Sequence, residues 1–268
     1  AQPYLVAIDV GSHSIKLAVA KNSLDLDDRV QVLALVEKPA AGISKGVITN
    51  MSEATESLIE IVNQAESIIG LPIKQVVAGV GGANINFTNS EGLIIISRSD
   101  NEIIESDIDR VVQDSLNKAY NIHSHEILHT IPRSFSLDNQ EDIRYPVGMI
   151  GSKLECQTLV VSVDHNYLRN FSKVFNFARL YSSEYIYTPL ASGEFLLTPR
   201  QKKAGTILVD IGYSSTTYII WESEEILCSG VIPVGSEHIT GDLAVGLQTN
   251  IDVAERIKKE YLNLSSEQ

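Results

Sequence analysis

The sequence predicts an α/β fold that is interrupted by an inserted α+β subdomain. Three observations predict it. Strand and helix patterns alternate through residues 1–82, the stretch 83–163 is rich in strand patterns and poor in helices, and the alternation resumes at residue 164. With 268 residues, the chain is long enough to bury a sizeable core in one large domain or two ordinary ones.

The first segment predicts a hairpin, a third strand, a helix and a returning strand. Two apolar runs flank a turn that contains glycine and serine, which is typical of a hairpin. In the helix, apolar residues follow the 3.6-residue period, with Ser52 as the expected N-cap and Gly70 just past the end. The expected elements are strands at Tyr4–Ile8, Ile15–Ala20, Val30–Val36 and Gln75–Ala78 and a helix at Ser52–Ile69.

The inserted stretch contains strand patterns around a single helix pattern. We expect strands at Ile85–Phe87, Leu93–Ser97, Ile127–Leu137 and Leu154–Val163, and a helix from Ser106 to Ala119. Alternation then resumes with a helix that Asp164 caps, a strand at Tyr185–Tyr187 and a helix that begins with Thr188-Pro189 in cap-then-proline order. The remaining expected elements are strands at Thr206–Val209, Thr217–Trp221 and Ile226–Ile232 and helices at Ser236–Leu247 and Asp252–Leu262.

The composition excludes several classes of protein. A net charge of −13 argues against a bare nucleic-acid coat, and against broad adhesion to anionic lipid. Cys156 and Cys228 both lie in apolar runs and are expected to be buried thiols in a reducing compartment. No basic segment precedes the first strand, and no apolar run approaches the roughly 18 residues that cross a bilayer. We therefore expect a cytoplasmic protein that binds no nucleic acid.

The most informative feature is a short motif that occurs twice. Each copy follows an apolar strand and precedes another, so Asp-x-Gly and a hydroxyl-rich turn lie at the tip of a hairpin. Glycine lets the backbone approach a ligand closely, and successive turn amides form an anion-binding nest. One copy alone is typical of ordinary hairpin turns, whereas two matching copies favour a phosphate site. The copies are Asp9–Lys16 (DVGSHSIK) and Asp210–Thr216 (DIGYSST).

The two turns predict how a nucleotide phosphate tail is held. A carboxylate beside an anion nest suits a hydrated Mg²⁺ that bridges phosphates, so Asp9 and Asp210 are the candidate metal-facing residues. His13 is as compatible with an exposed turn residue as with a phosphate contact. The phosphate candidates are the amides of Gly11, Ser12, Gly212, Tyr213 and Ser214, the hydroxyls of Ser12 and Thr216, the side chain of Lys16, and the turn residues His13 and Ser215.

Glu255 and Lys258 lie three residues apart on one face of the last predicted helix. Alone, such a pair is more often a surface ion pair. Beside two phosphate turns, the pair becomes a candidate for contacts to ribose hydroxyls.

The paired hairpins resemble the phosphate-1 and phosphate-2 loops of the actin, sugar-kinase and heat-shock ATPase superfamily. Ala254–Lys258 (AERIK) is similar to that superfamily's ribose-contacting helix. Four further segments narrow the resemblance: Ile127–Pro132 (ILHTIP), Tyr145–Gly151 (YPVGMIG), Gly79–Gly82 (GVGG) and Val231–Gly235 (VIPVG). With these segments, the chain resembles the FtsA family of bacterial cell-division proteins within that superfamily.

The resemblance implies an actin-like, ribonuclease H-like fold with a truncated second half. Residues 1–82 and 164–199 would form subdomain 1A, residues 83–163 the inserted subdomain 1C, and residues 200–268 part of 2A with the start of 2B. It also implies a nucleotide-binding adaptor that polymerises and links the FtsZ ring to the cytoplasmic membrane. ATP and Mg²⁺ are the implied cofactors. FtsZ, other division proteins and further copies of the chain are the implied partners, and the membrane is reached through a C-terminal helix beyond this sequence.

Two departures from the superfamily pattern bear on catalysis. Tyr213 stands where the superfamily often has a second glycine. Thr188 stands where polymerising relatives such as MreB carry the glutamate that orients the attacking water. We therefore expect ATP binding with weak or no hydrolysis. We also expect the insertion to be dispensable for nucleotide binding and to serve self-association or partner docking.

Three alternatives remain open from the sequence. A pilus-assembly adaptor of the PilM kind carries a similar insertion. A metabolic kinase would need a substrate base, and none stands out beyond Asp9 and Asp210. The third is an interaction module that binds no nucleotide.

Overall fold

A computed structural model describes residues 4–21, 30–82, 84–119 and 124–262 of the chain. The strands are β1 (Tyr4–Val10), β2 (Ser14–Lys21), β3 (Val32–Pro39), β4 (Ile43–Ser44), β5 (Val47–Ile48), β6 (Gln75–Val80), β7 (Ile85–Ile95), β8 (His125–Leu137), β9 (Gln140–Ile143), β10 (Lys153–Asp164), β11 (Tyr181–Tyr187), β12 (Thr206–Ile211), β13 (Thr216–Glu222) and β14 (Glu225–Ile232). The helices are α1 (Met51–Ile69), α2 (Glu105–Lys118), α3 (His165–Phe177), α4 (Thr188–Leu196), α5 (Pro199–Ala204), α6 (Ser236–Gly246) and α7 (Ile251–Tyr261).

A five-stranded sheet, in the order β11-β6-β1-β2-β3, forms the first lobe. The strands β1, β2 and β3 pair antiparallel, and β6 and β11 pair parallel beside them. Its inward residues alternate with outward ones, as a half-buried sheet requires. The helices α1 and α3 complete its core, with Leu58, Ile61, Phe171 and Phe175 among the most buried side chains.

The α1 helix begins one residue before the predicted start, and Ser52 is not its N-cap. Asn50 has the extended backbone of a cap, and its Oδ1 accepts hydrogen bonds from the amides of Ser52 and Glu53 at 3.1 and 3.3 Å. Asn50 and Ser52 are both suitable caps by residue type, so the sequence alone does not distinguish them. Gly70 ends the helix in the left-handed conformation, as predicted.

The insertion is a four-stranded antiparallel sheet, in the order β7-β10-β8-β9, with α2 packed on it. Two strands predicted at Ile85–Phe87 and Leu93–Ser97 are a single strand, β7. The polar residues between them interrupt the apolar pattern, but they continue the ladder with β10, from Thr88 opposite Val160 to Gly92 opposite Cys156. The fold class is therefore confirmed, including the inserted α+β subdomain.

The second lobe contains an antiparallel sheet, β12-β13-β14, followed by α6 and α7. The insertion shares a core with this sheet, because Leu159 of β10 is buried together with Ile219, Trp221 and Ile226. Replacing residues 83–163 by a linker would expose that core beside the second hairpin. The expectation that the insertion is dispensable for nucleotide binding and serves self-association or partner docking stays a prediction.

Other differences from the sequence expectations are local. Cys156 is buried as predicted, but Cys228 is exposed, because it lies on the open face of β14. Thr188 is the first residue of α4, and Tyr187 occupies the cap position without a side-chain hydrogen bond. The short elements β4, β5, β9 and α5 were not predicted, since two to six residues carry little periodicity.

A buried carboxylate anchors α2 in the insertion. Asp107 has no exposed side-chain surface, and its two oxygens bind Arg98 at 2.7 Å, Arg110 at 3.0 Å and the Ile104 amide at 3.1 Å. The hydrogen bond from Arg98 lowers the pKa of Asp107 most, against the opposing effect of burial, and the bond from the Ile104 amide adds to the lowering. The acidic residue thus holds the start of the helix and the loop before it.

We predict that Asp107→Asn lowers the free energy of unfolding by about 1–3 kcal/mol at pH 7, because it removes the charge from a buried carboxylate that binds two partly exposed guanidinium groups. Since the folded-state pKa of Asp107 is lowered, its stabilisation is present above the ordinary carboxyl pKa and is lost as the pH falls through the folded-state pKa. Urea unfolding at several pH values measures both effects. Asp109→Asn, at an exposed position of the same helix, is the matched control. An equal loss in both variants would contradict the prediction.

Candidate functional site

The two hairpins that carry the repeated motif have the same turn. In β1–β2 the amide of Gly11 donates to the carbonyl of Ser14 at 3.1 Å, and in β12–β13 the amide of Gly212 donates to the carbonyl of Ser215 at 2.9 Å. A Cβ atom would lie 2.8 Å from the first carbonyl and 2.9 Å from the second. Each turn therefore needs glycine for the close approach of its own backbone.

These bonds correct part of the sequence prediction. The amides of Gly11 and Gly212 are used inside the turns and are not available to a ligand. Within the described residues, the amides of Ser12, Tyr213 and Ser214, and also that of His13, have no protein acceptor. The turns thus present unbonded amides one residue further along the chain than the glycines.

The helix α6 orients the second turn. The amides of Ser236 and Glu237 donate to the carbonyls of Gly212 and Tyr213 at 2.9 and 2.8 Å. In a trans peptide the carbonyl and the next amide point in opposite directions. The amides of Tyr213 and Ser214 therefore point away from α6.

Both turns line one cavity of about 850 Å³ between the lobes. The loops around Gly46, Gly81 and Gly82 contribute to its wall, and so does the N-terminal part of α4 at Thr188. None of these four positions was predicted as a binding residue, because they come from separate parts of the chain. The predicted site residues that line the cavity are Asp9, Gly11, Ser12, His13, Lys16, Asp210, Gly212, Tyr213, Ser214, Ser215, Glu255 and Lys258.

Thr216 is the predicted residue that the structure does not bring to this cavity. Its hydroxyl donates to the carbonyl of Val234 at 2.8 Å and so joins β13 to the chain before α6. The cavity is lined instead by Thr217, the next residue of β13. Side chains alternate between the faces of a strand, so a shift of one residue moves the hydroxyl to the other side.

Side chains join the two turns directly across the cavity. The rings of His13 and Tyr213 stack with centroids 4.8 Å apart, and Ser214 Oγ donates to Ser12 Oγ at 2.9 Å. The Gly46 amide also donates to Ser12 Oγ at 2.9 Å. The Ser12 hydroxyl is thus held by protein partners, and Tyr213 spans the gap between the lobes.

The two motif carboxylates have different surroundings. The side chain of Asp9 is open to the cavity, whose walls surround it. This burial has the largest effect on the Asp9 carboxyl and raises its pKa. The charge of Lys16 lowers that pKa, and the charge of Asp210 raises it. Lys16 is opposite Asp9 in the β1–β2 ladder, whereas Thr217 is opposite Asp210 in the β12–β13 ladder. Among the described residues, no three His, Cys, Asp or Glu side chains converge as a metal site.

Glu255 and Lys258 of α7 form a tight polar cluster at the cavity wall. Lys258 Nζ lies 2.6 Å from Glu255 Oε2 and donates to Thr240 Oγ1 at 2.9 Å. Burial by itself would raise the pKa of Glu255, but hydrogen bonds from Lys258 and Thr240 outweigh it and lower the pKa to about 2. The pair is thus an ion pair, and it lies where a bound ligand would meet it.

Thr188 packs tightly against the backbone of β6 and the residues after it. A Cβ at Gly79 would lie 2.7 Å from Thr188 Cγ2, and one at Gly81 would lie 2.9 Å from Thr188 Oγ1. The hydroxyl lies 3.5 Å from the Val80 carbonyl. Position 188, at this wall of the cavity, is therefore a threonine packed against backbone and not a carboxylate.

The fold and the paired turns around one interlobe cavity define a protein of the actin-like class. Among solved structures, the PilM-PilN type IV pilus biogenesis complex matches with a TM-score of 0.71 at 13% identity, covering 96% of this chain and 69% of that chain. MreB5 of Spiroplasma citri, bound to ADP, matches with a TM-score of 0.52 at 11% identity, covering 100% of this chain and 65% of that chain. At these identities, the likeness shows the fold alone.

Sequence comparisons show the family. The SHS2 domain inserted in FtsA matches residues 82–162, and the cell division protein FtsA matches residues 207–268. FtsA of Bacillus subtilis is 30% identical over 95% of this chain and 57% of its own length, and FtsA of Pseudomonas aeruginosa is 31% identical over 96% and 60%. FtsA of Neisseria meningitidis is 31% identical over 97% and 62%. The chain belongs to the FtsA family.

The chain spans about three fifths of the length of the curated relatives it matches. In the part of the chain that the structure describes, no helix is both long and apolar enough to span a membrane.

We predict that Gly212→Ala lowers the free energy of unfolding by about 1–3 kcal/mol, because the added methyl group meets the Ser215 carbonyl inside the turn. Gly241→Ala is the control. Gly241 lies within α6 with open space around its Cβ position, so alanine there should leave stability unchanged or raise it by up to about 1 kcal/mol. Thermal and urea unfolding measure both. A neutral Gly212→Ala would show that the turn does not need the glycine.

Proposed function

We propose that the chain binds Mg²⁺-ATP between the β1–β2 and β12–β13 hairpins, as the nucleotide-binding part of an FtsA-like adaptor. One observation carries the proposal. Unbonded backbone amides from two equivalent turns lie at the same interlobe cavity. Backbone amides in such turns are a common means of binding phosphate. In the actin-like class, MreB5 of Spiroplasma citri is a neighbour whose structure holds ADP.

The charges of the cavity support a nucleotide that arrives with its cation. The lining includes Asp9, Asp210, Glu37 and Glu255, against three lysines. A bare polyphosphate would meet the carboxylates directly, whereas Mg²⁺ would neutralise them. Burial, first of all, raises the pKa of Asp9, and a facing cation would offset this effect by stabilising the charged carboxylate. Oxygen ligands and water are what Mg²⁺ prefers, so Asp9 and Asp210 fit the role of facing it.

The same cavity also offers contacts for the other parts of the nucleotide. Lys16 carries the positive charge nearest the first turn, and Glu255 with Lys258 on α7 would meet the ribose hydroxyls. We also propose the subdomain assignment that the family resemblance implies. Residues 1–82 and 164–199 would form 1A, residues 83–163 would form 1C, and residues 200–268 would form part of 2A with the start of 2B.

We predict that Lys16→Met weakens Mg²⁺-ATP binding about tenfold, the equivalent of about 1.4 kcal/mol, because it removes a cation from the cavity wall. Isothermal titration calorimetry of the purified chain measures the affinity. Lys21→Met is the matched control, since Lys21 is an exposed lysine of the same strand that does not line the cavity. Equal affinities for wild type and Lys16→Met, or an equal loss in both variants, would contradict the assignment. The complete absence of ATP binding by wild type would favour the interaction-module alternative.

We further predict that ATP turnover is weak or absent. In-line attack on the γ-phosphate needs a positioned water, and positioning is a large part of phosphoryl-transfer catalysis. At the α4 end of the cavity, Thr188 offers a neutral hydroxyl packed against glycine backbone in place of a carboxylate. A phosphate-release assay with Mg²⁺-ATP checks this. Brisk, Mg²⁺-dependent turnover by the purified chain would refute it.

The cellular role that we propose is that of FtsA relatives in cell division. A longer protein containing this chain would form filaments at the cytoplasmic face of the cell membrane and link the FtsZ ring to it. The support is the family membership over almost the whole chain, and the insertion that matches the SHS2 domain of FtsA. Co-sedimentation of the longer protein with FtsZ filaments tests this role. The PilM-like alternative is supported by fold likeness alone.

A further inference from the structure

A buried hydroxyl at the cavity wall, that of Thr217, has no hydrogen-bond partner among the described residues. Thr217 is only 7% exposed to solvent, and its Oγ1 is buried without a hydrogen bond in the described part of the protein. It lines the cavity and lies opposite Asp210 in the β12–β13 ladder. A buried hydroxyl without a partner costs free energy, so its persistence at a ligand cavity needs an explanation.

The two hairpins differ at this position. Lys16 lies opposite Asp9 in the first hairpin, and its charge acts on that carboxylate. Thr217 lies opposite Asp210 in the second, where the described residues provide Asp210 with no ion pair. The carboxylate without a facing protein cation and the hydroxyl without a partner are therefore cross-strand neighbours. Hydroxyl and carboxylate oxygens both accept hydrogen bonds from water bound to a divalent cation.

We propose that Thr217 is a further positioning residue of this site, whose hydroxyl binds the water shell of the divalent cation beside Asp210, on the second-hairpin side of the cavity. This inference rests on the proposed function. Under this proposal, the two turns have different roles in binding. The first offers a fixed positive charge, and the second a cation-facing pair of oxygens.

The test compares Thr217→Val with Thr217→Ser. Valine has nearly the same shape and favours a strand, but it has no hydroxyl. Calorimetric titration of the chain with ADP, in Mg²⁺ and in EDTA, gives the factor by which Mg²⁺ strengthens binding. We expect Thr217→Val to reduce this factor about three- to tenfold, with little change in EDTA, and Thr217→Ser to preserve it. Thr216→Val is the control, because its hydroxyl lies on the other side of the strand and binds the Val234 carbonyl.

A second measurement separates a ligand role from a structural one. Without ligand, Thr217→Val should melt at the same temperature as wild type or higher, because it removes an unpaired buried hydroxyl. An unchanged Mg²⁺ factor in Thr217→Val overturns the inference and leaves the nucleotide site standing. An equal loss of ADP affinity in Mg²⁺ and in EDTA also overturns it, since that indicates a packing role. If wild type binds no ADP in either condition, the proposed function and this inference both fail.

Discussion

The cavity depends on one turn geometry that the chain uses twice. In each hairpin, a glycine amide bonds the carbonyl three residues later, at a distance where any side chain on the glycine would collide with that carbonyl. Because the glycine amide is consumed, the following amides are the ones left without protein acceptors. Outside contacts then fix each turn, since Ala40 donates to the His13 carbonyl and the start of α6 donates to the carbonyls of Gly212 and Tyr213. The anion site that we propose is therefore built from the backbone.

The two turns have equivalent backbones but different side chains, and the side chains determine how the turns contact each other. Tyr213 is large enough to stack on His13 across the cavity, so the two turns touch before any ligand is present. A ligand whose phosphates lie between the turns would have to compete with this stack and with the hydrogen bond between Ser12 and Ser214. The site thus combines a repeated backbone turn with contacts that hold its two halves together.

The sequence predicted the parts that depend on periodicity and on local turns. Both hairpins, α1 and α3 follow from strand alternation and the 3.6-residue repeat. The sequence did not predict which face of β13 lies at the cavity. Thr216 was the predicted binding residue, but Thr217 lines the cavity wall. That choice depends on the register of a strand, which neighbouring threonines do not reveal. The packing of distant segments brings Gly46, Gly81 and Thr188 to the site, and local sequence patterns do not reveal such packing.

The insertion is joined to the candidate site by packing on two sides. Leu159 shares a buried core with Ile219 and Trp221 of β13, the strand that leaves the second turn. On the other side, the Tyr187 amide, which immediately precedes Thr188, donates to His129 Nε2 at 2.9 Å. Burial lowers the pKa of His129, which favours the neutral ring whose nitrogen can accept this bond. Protein interiors are close-packed and transmit displacements. The insertion therefore packs against β13 and against the start of α4, two elements that line the cavity, and a displacement of either element would strain these contacts.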